Sequence, residues 1–434
     1  MLRTTAAVLA GKAARAAARV RGGGGSAMPG LVVERLDPDF LAHALSGVTD
    51  GIVVVTGTNG KTTTTKMLAA LMRAHDKRVF TNPTGSNFTR GVISSMLGEL
   101  PLSGRLEADV AILELDEWHA LQFAKVVRPT HALLLNVARD QLDRFAEIDT
   151  TARLLASLAT QTTTGVVLNR DDSFVARIRP QLAGGVAVHY FGVDPAVADG
   201  LPPLHEADVR FDDGFAAPRP TPVDGLLHPH DERSFSMGFG EVSLGPVELK
   251  QRGLAAMINA TAATTTARML LGDAFAEEAA LEALRTMTPP FGRGEVIDAD
   301  GYPLELVLVK NPAGFTVALG TYGSEPVTTM IAINDDYADG QDVSWLYDVA
   351  FDSLRTQGVA LTSGVRAYDM ALRLDYDEVR VEGIVPDLEE ALGTLLTAYP
   401  RQPRRIFCTY TAMMGLRRLL AARYGLVAFG EETA

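Results

Sequence analysis

The segment Val53-Val-Val-Thr-Gly-Thr-Asn-Gly-Lys-Thr-Thr63 contains the residue types that hold a chain of phosphates. Gly57 and Gly60 let the backbone fold around an anion, the amides at a helix start donate to phosphate oxygens, and Lys61 adds a point charge. The hydroxyl of Thr62 suits a magnesium ion carried by those phosphates. An apolar run precedes the loop, and Met67, Leu68, Leu71 and Met72 form one apolar helical face after it, so the loop lies between strand and helix. A glycine turn beside a solvated lysine, the competing explanation, accounts for neither flank. Val55 stands where the spacing G-x-x-x-x-G-K-S/T has its first glycine, which makes a generic kinase or GTPase loop the poorer match.

The elements that must position this loop are legible as four short apolar runs, Ile52–Val55, Val110–Leu113, Ala132–Leu135 and Val166–Leu168. Such runs fit strands buried on both faces of a parallel sheet. Each ends in polar residues: the glycine loop, then Glu114 to Glu117, then Asn136 to Asp143, then Asn169 to Asp172. Ligands of open α/β sheets sit beyond the carboxyl ends of the strands, so the four tips are expected to meet at one crevice. From about Tyr190 to Val247 the chain is rich in Gly, Pro, Asp and His with short β-prone pieces such as Phe235–Phe239, and reads as an inserted lobe. Helical patterns return at Leu254–Leu271 and Phe275–Arg285, and Pro289, Pro290, Gly292 and Gly294 mark a domain boundary. A second α/β unit follows, with strands at Leu304–Val309, Val327–Asn334, Val359–Thr362 and Arg405–Cys408 and helices at Val343–Thr356 and Tyr410–Arg423.

A length of 434 residues suggests two or three domains. Net charge is −13 and the basic residues are dispersed outside the N-terminal segment, which removes the electrostatic footprint of a nucleic-acid binder. The single cysteine, Cys408, excludes an internal disulfide and any multi-cysteine metal site, and fits a cytoplasmic setting. No apolar run has the length of a membrane span, so an integral membrane protein is not expected. The first 22 residues carry no acidic side chain and admit two readings, an amphipathic helix packed on the next domain or a targeting peptide. Gly22 to Gly25, Ser26 and Pro29 read as a flexible break, with a short helix at Asp37–Leu45 beyond it.

The TGTNGKT loop and its threonine-rich helix start resemble the ATP site of Mur ligases and folylpolyglutamate synthases. The resemblance implies an α/β protein with a Mur ligase-type P-loop ATPase domain, a parallel sheet with helices, followed by a Rossmann-like C-terminal α/β domain. It implies ATP and magnesium as cofactors, with ATP contacts from Gly57, Thr58, Asn59, Gly60, Lys61, Thr62 and Thr63. Glu114 matches the family's magnesium-binding glutamate and would join Thr62 at the metal; taken alone it is a strand-end carboxylate facing water. Asn136-Val-Ala-Arg-Asp-Gln-Leu-Asp143 resembles N-x-x-x-D-H-L/M-D, with Gln141 replacing a histidine that holds a second metal in relatives. A neutral amide oxygen is the weaker ligand, so one magnesium is expected. Asn259 falls where the family's H-N-x-x-N-x-x-A-A segment sets an asparagine against adenine, although Ala255 and Ala256 replace its first pair and a helical packing contact explains the residue equally. Arg293 in Phe291-Gly-Arg-Gly-Glu-Val296 resembles the G-R-x-E segment whose arginine contacts the nucleotide across the domain junction. Asn82-Pro-Thr-Gly-Ser-Asn87 resembles N-x-x-G-x-N, which implies substrate contacts from Asn82, Ser86 and Asn87; an Asn-Pro and Gly turn is the plain alternative.

Within this group, Val309–Gly314, Asn334–Asp348, Ser363–Arg366 and Tyr410–Met413 together resemble the MurT family. That resemblance implies an N-terminal helical segment at 1–45, a central ATPase domain at 46–295 with its inserted lobe at about 190–247, and a MurT-type C-terminal α/β domain at 296–434. The nucleotide-sugar domain of amino-acid-adding Mur ligases is then expected to be missing. The implied reaction is ATP-dependent amidation of the D-glutamate α-carboxyl in the lipid II stem peptide to D-isoglutamine, through an acyl phosphate. Ammonia would come from a GatD-like glutaminase in a heterodimer working at the inner face of the membrane, where lipid II resides. Lys61 and Glu114 would then serve phosphoryl transfer, and Asp342 would be the orienting carboxylate of the partner's glutaminase. By position alone Asp342, ahead of Val343-Ser-Trp345, reads as a helix N-cap. Some MurT proteins carry a four-cysteine zinc ribbon in the inserted lobe; with no cysteine there, no zinc is expected here. The alternatives are a folylpolyglutamate synthase, an amino-acid-adding Mur ligase, or a nucleotide-binding scaffold that regulates a glutaminase without ligating anything.

Overall fold

The computed structural model describes residues 2–20, 27–82, 88–139, 148–201, 214–290, 292–323 and 325–426. The N-terminal part is helical, with α1 (Leu2–Val20), α2 (Ala27–Leu36) and α3 (Phe40–Leu45). Helix α2 is not expected from the sequence, where Pro29 reads as part of a break. Pro29 lies in the first turn of α2, where a proline removes no intrahelical hydrogen bond. Helix α1 packs on α2, and Lys12 reaches across to donate to the Leu100 carbonyl at 2.6 Å, as the packed-helix reading requires.

The central unit alternates β1 (Gly51–Thr56), α4 (Lys61–Ala74), β2 (Val79–Thr81), α5 (Thr89–Met96), β3 (Val110–Glu114), α6 (Glu117–Val126), β4 (His131–Leu134), α7 (Ile148–Gln161), β5 (Gly165–Asn169), α8 (Ser173–Ala176) and β6 (Ala187–Val193). It continues through β7 (Gly225–Pro229), β8 (Ser234–Phe239) and β9 (Val242–Glu248) to α9 (Leu254–Leu271) and α10 (Glu277–Thr286). All nine strands form one sheet, ordered β2-β3-β1-β4-β5-β6-β7-β8-β9, parallel as far as β7 and antiparallel through β8 and β9. Strand β1 pairs with β3 on one side and β4 on the other, which makes its carboxyl end the topological switch point where an open α/β sheet forms its crevice. Successive side chains of β1 serve opposite cores: Val54 packs with Phe80 and Phe123, Val53 and Val55 with Met67, Leu71 and Met257.

The stretch from 190 to 247 is therefore no separate lobe. Strands β6 to β9 extend the central sheet, and Phe235, Met237 and Phe239 alternate inward with Leu244 and Val247 to cover α9. The Gly, Pro and Asp content that suggests a lobe belongs to the connections, while the period-two pattern of β8 carries the burial. Residues 202–213, within this stretch, lie outside the described residues.

The C-terminal unit contains β10 (Arg293–Ala299), β11 (Tyr302–Leu308), α11 (Pro312–Tyr322), β12 (Thr328–Ala332), β13 (Val359–Ser363), α12 (Ala367–Tyr376), β14 (Val381–Ile384), α13 (Leu388–Ala398), β15 (Arg404–Cys408) and α14 (Tyr410–Tyr424). The strand order is β10-β11-β15-β12-β13-β14, parallel except for β10, with a hydrophobic core on each face. The helix expected over Val343–Thr356 is instead two 3-10 turns, Ser344–Asp348 and Asp352–Leu354. Arg373 explains the interruption: its buried guanidinium takes the carbonyls of Leu346 and Val349, which a continuous helix would need for itself, at 3.1 and 2.5 Å. Phe351 then drops into the core, 5.1 Å from the Phe315 ring.

Two sets of contacts hold the units together near the crevice. Arg405, 1% exposed, donates to Glu305 and Glu325 within the C-terminal unit, and Arg252 from the central unit joins the same carboxylates. The Arg405 and Arg252 guanidinium groups lie 4.7 and 5.5 Å from the Tyr322 ring centre, in cation–π range. Replacing Arg405 with Ala leaves Glu305 and Glu325 with Arg252 alone and takes a donor from the Tyr322 carbonyl, so Arg405→Ala is expected to lower unfolding free energy by about 1.5–3 kcal/mol in urea titrations. At the start of β4, His131 is buried and its desolvation pulls its pKa down to about 4. The unfolded chain takes up that proton near pH 6.5 and the native state does not. Its contribution is thus intact above that pH and is lost as pH falls toward 4. His131→Asn, compared with the parent by urea unfolding at pH 7.5 and 5, is expected to show the smaller loss on acidification.

Candidate active site

The loop between β1 and α4 has the shape its glycines were expected to allow. Gly60 caps α4 with φ 88°, and a Cβ there would lie 2.5 Å from Asn259 Oδ1; Gly57 has φ 132°, with the Asn136 backbone 2.9 Å from where its Cβ would stand. Such closeness, at a positive φ, explains why no larger residue fits at either position. Asn136, at the end of β4, clamps the loop by receiving the Asn59 N–H at 2.8 Å and donating to the Asn59 carbonyl at 3.0 Å. Thr58 is held in the same way, its N–H bonding the Asn136 carbonyl and its hydroxyl the Ala138 N–H, both at 3.0 Å.

Lys61 is buried and folds over its own loop, donating to the carbonyls of Gly57 and Thr58 at 2.6 and 3.3 Å and pairing with Glu117 at 3.3 Å. Burial, reinforced by the Asp116 charge and opposed by Lys61, pushes the Glu117 carboxyl up to about 7. For Asp116, burial acts upward but is outweighed, first by the Lys61 charge and then by a hydrogen bond from Glu117, and its pKa falls.

Thr62 and Glu114 meet as the sequence anticipated. The Thr62 hydroxyl donates to Glu114 Oε1 at 2.8 Å, and Glu114 stands beside Val55 in the β1–β3 register, one residue short of the loop's approach. The backbone of Glu114 is fixed by Asn82, whose amide bonds both its N–H and its carbonyl, at 2.9 and 2.8 Å. Two hard oxygen donors side by side at a phosphate loop fit magnesium. Arg293, at the start of β10, crosses the junction and donates to the Thr62 hydroxyl at 3.3 Å; burial lowers its pKa, with the Glu114 charge acting against that shift.

A cleft of about 210 Å³ lies between the two units, lined among others by Gly60, Thr63, Asn259, Arg293, Lys310 and Tyr322. The fold therefore assembles Gly57 to Thr63, Glu114, Asn259 and Arg293 around one crevice, with Asn82 bracing it from behind. Ser86, Asn87 and Gln141 lie outside the described residues. Asp342 is elsewhere, on the exposed surface of the C-terminal unit, where its carboxylate accepts the Ser344 N–H at 2.9 Å and is held below the usual range by Ser344. Sequence reasoning assigned no part to Glu117, Lys310 or Asn311. Glu117 and Asn311 belong to segments quoted above, but only folding shows that both face the loop.

An α/β fold with this loop, this carboxylate and an arginine arriving from a second α/β unit defines a Mur ligase. Residues 55–209 match the Mur ligase middle domain, and among solved structures MurF from Acinetobacter baumannii aligns with a TM-score of 0.64 at 19% identity, covering 90% of this chain and 81% of that one. MurF ligase from Thermotoga maritima in complex with ADP aligns with a TM-score of 0.63 at 16% identity, over 91% of this chain and 85% of that one. Residues 308–413 match the MurT ligase C-terminal domain. The lipid II isoglutaminyl synthase (glutamine-hydrolyzing) subunit MurT of Streptococcus pneumoniae is 30% identical, over 97% of this chain and 98% of its own. The chain belongs to the MurT family of Mur ligases.

Gly60→Ala tests the loop. The new methyl group meets Asn259 and a left-handed backbone at once, so ATP affinity measured by calorimetry is expected to fall by at least about tenfold.

Proposed function

We propose that this chain is the ATP-dependent synthetase subunit that amidates the α-carboxyl of D-glutamate in the lipid II stem peptide, giving D-isoglutamine. The observation that carries this reading is a phosphate loop faced by Glu114 and Arg293, in a chain that matches a lipid II isoglutaminyl synthase subunit along almost its whole length. The working units are the helical segment 1–45, an ATPase domain at 46–295 and a C-terminal domain at 296–434.

A carboxylate resists attack by ammonia until one of its oxygens becomes a leaving group. Transfer of the γ-phosphoryl group of ATP to the D-glutamate α-carboxylate gives an acyl phosphate; ammonia then attacks the carbonyl carbon, and phosphate departs as the amide forms. The backbone amides of Gly60 to Thr63, at the start of α4, and the Lys61 ammonium hold the phosphates in line and offset charge on the transferring group. To do so Lys61 exchanges its two loop carbonyls for phosphate oxygens while Glu117 keeps its ammonium nearby. Thr62 and Glu114 would hold magnesium, which would offset negative charge on the phosphates. Asn259 would meet the base and Arg293 the phosphates; Asn82, buried with its amide on the Glu114 backbone, serves the site as a brace and does not touch substrate, and Ser86 and Asn87 keep the substrate role that the family resemblance implies.

The ammonia source is a second chain. Glutaminase chemistry of this class needs an accessible cysteine, and the only one here, Cys408, is fully buried with its thiol pushed far up by desolvation. A GatD-like glutaminase would supply the nucleophile, and the exposed carboxylate of Asp342 suits a residue completing the partner's site. No helix among the described residues is long and apolar enough to cross a membrane, and the lipid substrate is met at the inner membrane face.

Reconstitution with the glutaminase tests both halves. Asp342→Asn is expected to lower glutamine-dependent amidation by a factor on the order of 10³ while amidation driven by added ammonium stays within about twofold of the parent. Lys61→Ala should abolish both. Full glutaminase activity in the Asp342 variant would remove Asp342 from the reaction, and amidation without ATP would sink the whole reading.

A further inference from the structure

The phosphate loop is touched by a buried amide from the C-terminal unit, 252 residues away along the chain. Asn311 is 0% exposed, and its Nδ2 donates to Asn59 Oδ1 at 3.0 Å. The Asn59 side-chain amide reaches back toward Asn311 Oδ1 at a longer 3.5 Å. Asn311 also has a second role, because its Oδ1 receives the Gly314 N–H at 2.7 Å and caps α11, with Pro312 in the first turn. Since the Asn59 backbone is already clamped by Asn136, its side chain extends from a fixed base toward the neighbouring unit. The result is a relay of three amides, Asn136 to Asn59 to Asn311, running from the end of β4 through the loop and into the start of α11.

The two roles of Asn311 are chemically separable. An N-cap needs only an acceptor, which serine, threonine or aspartate supplies as well as asparagine. The Nδ2 donor adds nothing to the cap, yet it is spent on the loop. Asn59 likewise needs no side chain to hold the loop backbone.

We propose that Asn311 is a positioning residue that, through Asn59, sets the phosphate loop in its ATP-binding shape when the C-terminal unit is docked, and so couples domain docking to nucleotide affinity. This rests on the ATP reading above. Because Asn311 adjoins Lys310 and belongs to the same turn as Gly314, both of which line the cleft, withdrawal of the C-terminal unit removes the Asn59 anchor together with that wall. Nucleotide and the docked arrangement then favour each other, as any two linked equilibria must.

The test uses the full chain, ATP and magnesium alone, with binding measured by calorimetry and folding by thermal unfolding. Asn311→Ser keeps the cap and is too short to reach Asn59; its thermal midpoint is expected within about 2 °C of the parent, and its ATP dissociation constant raised about tenfold. Asn59→Ala should weaken ATP binding by a similar factor, and the double variant should bind no worse than either single one, since both remove the same contact. Asn311→Ala, which loses cap and contact together, should fall in thermal midpoint as well. ATP binding by Asn311→Ser within about twofold of the parent, or losses that multiply in the double variant, would overturn the proposal. If Asn311→Ser does not fold, unchanged ATP binding by Asn59→Ala overturns it alone. Failure of the parent to bind ATP would instead dismiss the ATP reading, before any variant is compared.

Discussion

Everything in this molecule turns on a backbone segment that must present unpaired N–H groups to an anion and yet keep its shape. Left alone, such a loop would turn those donors to water or to its own carbonyls. Here asparagine amides brace it: Asn136 from the end of β4, Asn259 against Gly60 from α9, and Asn311 against Asn59 from α11. Amides suit this role because each offers donor and acceptor without net charge, so they brace the backbone without competing with Lys61 for phosphate. Among the charged side chains, Lys61 pairs with Glu117, while Glu114 and Arg293 meet at the Thr62 hydroxyl.

That arrangement needs two rigid bodies and a defined junction. The central sheet supplies rigidity through a long run of strands buried on both faces, with β1 at the point where connections diverge. The C-terminal sheet is locked by Arg405 among Glu305 and Glu325, and Arg252 carries the same charge cluster across the junction. Tyr322 lies under both guanidinium groups and also lines the cleft, so one aromatic ring is shared between the structural junction and the nucleotide site. Placing the C-terminal unit accurately is therefore a condition for building the site at all, since Arg293 reaches Thr62 only from there.

The division of labour between the chain and its partner follows from the same geometry. The crevice holds the groups proposed to activate a carboxylate, whereas Asp342 is set apart on an exposed turn, stabilised by Ser344. The lone cysteine is sealed inside β15 and offers no accessible thiol, and the MurT relative is itself named as a subunit. In the proposed reaction, activation and ammonia production are therefore physically separate events.

Sequence alone determined the parts of this protein that depend on local chemistry. The phosphate loop, the buried parallel strands, Glu114 at a strand tip and the family itself were legible because glycine spacing, apolar runs and short motifs are properties of neighbours in the chain. Where local signals misled, tertiary contacts had overruled them: Pro29 opens α2, the turn-rich stretch from 190 to 247 hides strands that extend the sheet, and Arg373 takes carbonyls that a helix from Val343 would have used. What only the tertiary structure decided is which distant residues share a surface. Glu117 beside Lys61, Arg252 among the carboxylates of another unit, and Asn311 against Asn59 carry no sequence signature, because a hydrogen bond spanning 252 residues is fixed by how two sheets dock and not by any pattern along the chain.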